Sequence, residues 1–525
     1  MRRVLLSPVF LFTLLLAASA SGSGCAAVVG TAATSPAARA AVEQAVEAAL
    51  VRSGAARPAT LAGGGATVVP AIPPAVQAGP MLGYVTHREA SVWVQTTAPA
   101  RVQVRYAVAE VGGQPLGAGL RAEPLTTEPV LTGPEGDYVA LFRLTRLEPG
   151  TTYTYAVLLD GEEVPLAHPA RIRTQPLWQW RTDPPAFTVA IGSCHYANDA
   201  PYDRPGGPYG GPTAIFERIA DQNPDAMVWL GDNVYLREVD WWTADGLNYR
   251  HAHARREPAL QRLLASTPQY ATWDDHDFGP NDSDRSYALK GAALEAFTRY
   301  WPAASRGLPG VPGVFTQFQY GDAEFFLLDN RYHRSPNATP ADAGRTILGE
   351  EQLTWLLDAL TFSRAPFKIV GMGGQFLNTI PVFENYVNVA PEERAFILRE
   401  IERRGIEGVV FISGDRHHAE LLRLERPGAY PLYEFTSSPL TAGASTLATR
   451  ADSPERDNPL RVPGTLVAGQ RNFGTLSFEG PRTDRTLTLR AFDAEGNRLW
   501  EHRVTQAELR MPPARATAPP NPVGQ

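Results

Sequence analysis

The segment Met227-Val228-Trp229-Leu230-Gly231-Asp232-Asn233-Val234-Tyr235 passes from four apolar residues directly to a glycine, a carboxylate and a phenol. A short apolar run closed by a turn signal predicts a buried strand, which leaves Asp232 and Tyr235 at its carboxyl end. The same pattern recurs along the chain. Apolar stretches at 187–191, 270–273 and 409–412 lead into Ser193-Cys194-His195, Asp274-Asp275-His276-Asp277 and Gly414-Asp415-Arg416-His417-His418, and the stretch 367–370 leads into Gly373-Gly374-Gln375. A further strand is predicted at 325–328. Helices are predicted at 212–222, 288–300, 349–360 and 391–403, the last two with acidic residues in their first turns. Strands alternating with helices imply a sheet core covered by helices, with ligands bound beyond the carboxyl ends of the strands, where the polar clusters fall.

Each cluster alone has an ordinary reading. Gly-Asp after a strand is usually a turn or a helix cap, and a buried cysteine is usually a small hydrophobe. Asp274 to Asp277 reads equally as a solvated acidic loop, and His417 as a satisfied polar residue. Recurrence changes the balance, because Cys, Asp, Tyr, Asp, His, Asp and His arrive in order at successive strand ends. Carboxylates converging in one pocket repel each other unless cations neutralise them, so a metal cluster is the economical reading.

That order carries a resemblance. Gly231-Asp232-x-x-Tyr235, Asp275-His276-Asp277 and Gly414-Asp415-x-His417 resemble the calcineurin-like metallophosphoesterases, and Gly-Asp-x-x-Tyr is the form seen in purple acid phosphatases. Ser193-Cys194, Trp273-Asp274-Asp275-His276-Asp277 and Gly414-Asp415-Arg416-His417 are more specifically similar to the alkaline phosphatase D (PhoD-like) family. The resemblance covers roughly residues 80–505. It implies an α/β fold whose metallophosphoesterase core has two sheets flanked by helices (α/β/β/α), and a centre containing Fe(III) and Ca(II).

By the same correspondence, Cys194, Tyr235, His417 and one oxygen of Asp232 would hold the first metal. Thiolate and phenolate donors favour Fe(III) over calcium or magnesium. The second metal would receive the other oxygen of Asp232 together with Asp275 and Asp415. Here the chain departs from ordinary metallophosphoesterases, because Asp275 stands in place of Asn, Asp415 in place of His, and Gln375 near the place of another His. Oxygen-only donors suit Ca(II) better than zinc. The expected chemistry is in-line attack on phosphorus by a metal-bound hydroxide. His276 is the expected proton donor to the leaving oxygen, with Asp274 or Asp277 orienting its ring. Asn233 and Arg416 are candidate substrate contacts. His195 and His418 are neighbours for which a structural role is equally open. Trp241 and Trp242 either line a substrate entrance or pack.

The rest of the chain frames this centre. Its 525 residues, 44% hydrophobic and 20% charged, imply two or three globular domains. Lys+Arg 48 against Asp+Glu 55 gives a net charge of −7, which disfavours a stable nucleic-acid complex. Arg2-Arg3, an apolar run over 4–18 and small residues to 24 have the layout of a bacterial export signal (1–24). Cleavage near Ala18-Ser19-Ala20 and lipidation of Cys25 remain alternative outcomes, as do the general and twin-arginine routes. The protein is therefore expected outside the cytoplasm, periplasmic or extracellular, with membrane contact only if Cys25 is acylated. Residues 25–76, rich in Ala, Gly, Pro and Thr, read as a spacer with a short helix at 37–51.

From 77 to 175, apolar residues alternate with period two, as in Val92/Val94, Val102/Val104 and Ala140/Phe142/Leu144. This predicts an all-β fibronectin-like sandwich. Leu147-Glu148-Pro149-Gly150-Thr151-Thr152-Tyr153 resembles the corner of such a domain, where a tyrosine hydroxyl ties a turn to the backbone. The catalytic domain is expected at 186–505, its last strands over 472–505 completing the second sheet. A Pro-rich disordered tail is expected over 506–525.

Three functions fit this reading. The first is an exported metal-dependent hydrolase of phosphomonoesters or phosphodiesters, acting on a small phosphate-ester substrate. The second is a phospholipase-like diesterase acting on lipid headgroups, and the third a surface binding protein with a structural metal site. A complete ligand set with His276 beside it favours an enzyme, since a structural site needs no proton donor.

Overall fold

The computed structural model describes residues 74–115, 123–340, 343–382 and 384–512. The export signal, Cys25, all but the end of the spacer and residues 513–525 of the expected tail lie outside the described residues, whereas 506–512 is ordered, contrary to expectation, with Leu509 buried and the Met511 N–H donating to Glu407 at 2.8 Å. No helix among the described residues is long and apolar enough to cross a membrane.

The first part of the described chain is an antiparallel β-sandwich. One sheet pairs Val76–Val85, Ala90–Thr96 and Val139–Leu144. The other is built on Arg101–Val111, Thr151–Leu159 and Arg171–Arg173. The alternating residues do what their period requires, since Val92, Val94, Val102, Val104, Phe142 and Val157 meet in one buried cluster. The Tyr153 hydroxyl accepts the Glu148 backbone N–H at 2.8 Å, the tie expected of the corner motif.

The remaining chain forms two six-stranded sheets packed face to face. In the first, Gln269–Thr272, Ala226–Leu230 and Phe187–Gly192 run parallel, and Asn472–Glu479, Thr486–Asp493 and Arg498–Thr505 continue the sheet antiparallel. In the second, Ala323–Leu327, Phe367–Met372, Val409–Ser413 and Leu432–Thr436 are parallel, with Thr316–Tyr320 and Glu420–Leu424 antiparallel at the edges. Val189, Val228 and Leu476 of one sheet meet Phe325, Ile369 and Val410 of the other in a single apolar core. Strands buried on both faces read as continuous apolar runs, which is why six of the parallel strands were legible; Leu432–Thr436, equally buried, is interrupted by Glu434 and was not expected.

Helices Ile215–Asp221, Ala244–Arg255, Pro258–Ser266 and Lys290–Tyr300 contribute to the apolar cluster beside the first sheet, and Glu350–Phe362 and Pro391–Arg403 to the core on the second sheet's side. The layers are therefore α/β/β/α. Direct hydrogen bonds join the sandwich to this domain: Trp93 Nε1 donates to the Arg299 carbonyl at 2.9 Å, and Tyr155 Oη to that of Ala265 at 2.8 Å.

Candidate metal centre

Parallel strands in both sheets end at the same edge of the molecule. Gly192, Leu230, Thr272, Met372 and Ser413 are followed at once by the polar clusters, so one edge collects residues from distant parts of the sequence. The turns that follow are tight. Cys194, Asp232, Asp415 and His417 all adopt left-handed backbone, with φ of 62°, 52°, 64° and 56°. Such conformations cost on the order of 1–3 kcal/mol each in a non-glycine residue and persist where surrounding structure enforces them. Gly231 has φ +86°, and a Cβ there would lie 2.6 Å from that of Asp274, so this position requires glycine.

The first donor set is formed by Cys194, Asp232 and His417, whose ligand atoms lie within 4.8 Å of one another. Tyr235 Oη joins it, 3.0 Å from Asp232 Oδ2 and 3.1 Å from His417 Nε2. Cys194 Sγ lies 3.6 Å from the same Asp232 oxygen. His417 Nδ1 is hydrogen-bonded to the Gly443 carbonyl, which fixes the ring and leaves Nε2 facing the donors. Burial pushes the Cys194 thiol up to about 12 and raises Tyr235 and Asp232 as well. Without a cation these groups hold their protons, and a thiol, a phenol, a carboxyl and an imidazole have little reason to converge in a dry pocket. The set fits a Lewis-acidic transition ion.

The opposite oxygen of Asp232 faces a second set. Its Oδ1 lies 3.4 Å from the His276 backbone N, and Asp232, Asp275 and His276 form a close donor group. Asp275 also belongs to an all-carboxylate group with Asp282 and Glu384. Burial disfavours the Asp275 carboxylate, but the charges of His276 and Arg331 outweigh it and hold its pKa low. An oxygen-rich set around an ionised Asp275 fits a hard cation.

Several expectations change here. Asp415 enters none of these close groups among the described residues; its Oδ2 lies 3.9 Å from Arg416 Nη1, and burial raises its pKa to about 7. Neither Asp274 nor Asp277 orients the His276 ring. Asp274 Oδ1 is taken by Arg331 Nε at 2.5 Å and Asn330 Nδ2 at 2.8 Å. Asp277 accepts the backbone N–H groups of Asn233, Val234 and Asp274 at 3.0, 3.2 and 3.0 Å, which makes it the clasp between the turns that carry Asp232 and Asp275. His276 instead stacks on Tyr235 at a ring separation of 4.2 Å, with a buried Nδ1 that has no hydrogen-bond partner.

The neighbours also resolve. Asn233 is buried and donates one amide N–H to the Thr272 carbonyl at 2.8 Å, while its Oδ1 has no hydrogen-bond partner among the described residues. Arg416 pairs with Glu455. His195 is a buried ring edge-on to Phe216 at 4.8 Å, its pKa lowered to about 3 by burial, and is a packing residue. His418 faces Glu420 at 3.3 Å. The Gln375 side chain is spent on Glu420, Thr436 and Asn378 at 2.8, 2.9 and 2.7 Å, so it offers nothing to a metal. Trp241 packs against the core, whereas Trp242 is 71% exposed.

Sequence reasoning missed Arg331. It is fully buried and binds Asp274 and Glu384, the latter at 2.6 Å, and lies 3.7 Å from Asp275. Nothing in Asn330-Arg331-Tyr332 signals this, because the pairing depends on which strand lies beside which. Ser438 was missed for the same reason; its hydroxyl donates to Cys194 Sγ at 3.1 Å.

Comparison with known proteins gives this geometry a context. The model of a family described as PhoD-like phosphatase matches residues 190–483, and one described as a domain of unknown function matches residues 74–176. Alkaline phosphatase D of Bacillus subtilis (strain 168) is 24% identical over 374 residues, a stretch that covers 60% of this chain and 60% of the relative's length. A solved structure of PhoD superposes with a TM-score of 0.63 at 19% identity, covering 81% of this chain and 91% of that one. The purple acid phosphatase PPD1 from yellow lupin (Lupinus luteus) gives 0.55 at 13% identity, covering 82% and 74%. Both superpositions show a shared fold.

Proposed function

Because this chain belongs to the PhoD-like phosphatase family, we propose that it is an exported, metal-dependent hydrolase of phosphomonoesters or phosphodiesters, with Fe(III) in the first donor set and Ca(II) in the second. The observation that carries this reading is Asp232, whose Oδ2 faces Tyr235 and Cys194 while Oδ1 faces the side of Asp275 and His276. One carboxylate between two unlike donor sets is the arrangement a mixed-metal pair needs. When bound, the metals supply Lewis acidity and positive charge for the phosphoryl oxygens.

The chain's own residues do the rest. Asp277 clamps the Asp232 turn to the Asp274–Asp275 turn, and Arg331 fixes Asp274 and Glu384 behind them, so the donors are held before substrate arrives. Burial lowers the His276 pKa even though Asp275 draws it upward, so the ring is neutral near pH 7. A neutral imidazole can still hydrogen-bond the departing oxygen through one ring N–H, and packing against the Tyr235 ring takes the place of the carboxylate that would otherwise orient it.

The expected partner is a small phosphate ester, without a stable nucleic-acid complex. Localisation is periplasmic or extracellular, with membrane contact only through an acylated Cys25. Assays of the metal-loaded protein on p-nitrophenyl phosphate, its bis-ester and a phospholipid test the proposal. Turnover of either nitrophenyl ester supports it. Turnover of the lipid alone moves the assignment to a headgroup diesterase, and none at all to a binding protein.

A further inference from the structure

Segment 198–210 closes on itself beside the first donor set. Asn198 Nδ2 donates to the Gly210 carbonyl at 2.8 Å, and the Gly210 N–H donates to Asn198 Oδ1 at 2.9 Å, so one side-chain amide ties the two ends together. Compact surface loops with joined ends are frequently functional. The interior is anchored as well. Asp203 Oδ1 accepts from Arg237 Nη2 at 2.8 Å and from Tyr196 Oη at 2.9 Å, and Asp203 Oδ2 accepts from the Asp199 N–H at 2.7 Å.

Arg204 follows this anchor directly and is exposed. Its guanidinium lies over the Tyr209 ring, 5.4 Å from the centroid, and Tyr209 Oη is 3.4 Å from His417 Nδ1. Other cations near the centre are committed: Arg331 and Arg334 to Glu384, and Arg416 to Glu455. Arg204 makes no ion pair among the described residues.

Resting on the phosphoesterase reading above, we propose that Arg204 is a substrate-binding residue that takes a non-bridging phosphate oxygen at the rim of the metal centre. The Tyr209 face holds the guanidinium in place, and the tied loop keeps it there without using its donors. A planar fork on an aromatic platform suits a phosphate better than the point charge of a lysine. The contact is made by substrate in the ground state, so its loss appears in KM and in phosphate affinity more than in kcat.

The test compares wild type with Arg204→Ala and Arg204→Lys, all iron- and calcium-loaded, with metal content and thermal unfolding measured alongside. Inorganic phosphate binding is read by calorimetry, separately from turnover of p-nitrophenyl phosphate. Arg204→Ala is expected to weaken phosphate binding and raise KM by about tenfold, the scale of one hydrogen bond to a charged group. Its kcat stays within about twofold, and Arg204→Lys falls between. Unchanged phosphate affinity in Arg204→Ala overturns the proposal, and so does loss of metal, which would make the loop structural. A wild type that binds phosphate but hydrolyses no ester contradicts the functional reading and leaves the contact to be judged by calorimetry alone.

Discussion

Tyr235 Oη lies 3.0 Å from Asp232 Oδ2, in a pocket where both residues are buried and both pKa values are raised. In the metal-free protein this contact is a hydrogen bond. With a ferric ion between them, the phenol would ionise and donate charge to the metal in a visible transition. Iron-replete protein is therefore expected to be coloured. Tyr235→Phe keeps the ring and its stack on His276 but removes the oxygen, so the band should vanish while most iron is retained. Cys194→Ser should shift the spectrum and weaken iron binding. A colourless iron-replete protein, or an unchanged spectrum in Tyr235→Phe, makes Tyr235 a packing residue.

His276→Ala separates leaving-group chemistry from metal holding. A hydrogen bond from the ring to the leaving oxygen matters most when the departing alcohol is poorly acidic. Hydrolysis of alkyl phosphate esters should fall by about 10²-fold or more, and that of p-nitrophenyl esters much less. Metal analysis decides between the two uses the structure allows for this ring, since His276 also stands in the close group with Asp232 and Asp275. Equal losses on both substrates together with loss of the second metal would make it a ligand.

Six central strands, four flanking helices and the polar turns were legible because strands buried on both faces leave continuous apolar runs, and Gly231, Gly373 and Gly414 mark where those runs stop; Thr316–Tyr320, Glu420–Leu424 and Leu432–Thr436 were not anticipated. The gathering of Cys194, Asp232, Tyr235 and His417 is what the family resemblance implied. Helices Ala244–Arg255 and Pro258–Ser266 were not anticipated. The first carries several buried polar residues, Arg250 and His251 among them, and so lacks a clean apolar stripe. Asp274 and Asp277 are engaged elsewhere than at the His276 ring, because sequence shows which polar residues reach the edge but not which oxygen meets which donor. Arg331 and Ser438, like the Asn198–Gly210 tie, depend on contacts distant in sequence and left no local signal.

The carboxyls at the centre make stability of the metal-free protein depend on pH in an unusual direction. Burial raises Asp274 to about 6 and Asp277 and Asp415 to about 7, against 3.8 for the free side chain. These carboxyls thus hold more protons in the folded than in the unfolded state between about pH 4 and 7, so their contribution to stability falls as pH rises through that window; the buried His195 and His251, lowered to about 3, act in the opposite direction, and the raised carboxyls, Asp232 among them, outweigh them. Chelated protein should melt at a lower temperature at pH 7.5 than at pH 5, by roughly 5 °C or more. Calcium and iron should remove most of the difference. Thermal unfolding at the two pH values, with and without metals, checks this, and a chelated protein that is more stable at pH 7.5 contradicts it.

Dependence on calcium tests the central claim most directly, because Asp232, Asp275 and the neighbouring carboxylates are assigned to a hard cation. Iron-loaded protein should be exhaustively treated with a calcium chelator, checked by metal analysis, and assayed on p-nitrophenyl phosphate and its bis-ester before and after calcium or zinc is returned. The account predicts that activity disappears with calcium, returns when calcium is added, and returns less well with zinc. Full activity in protein shown to contain no calcium, or better restoration by zinc, would contradict it.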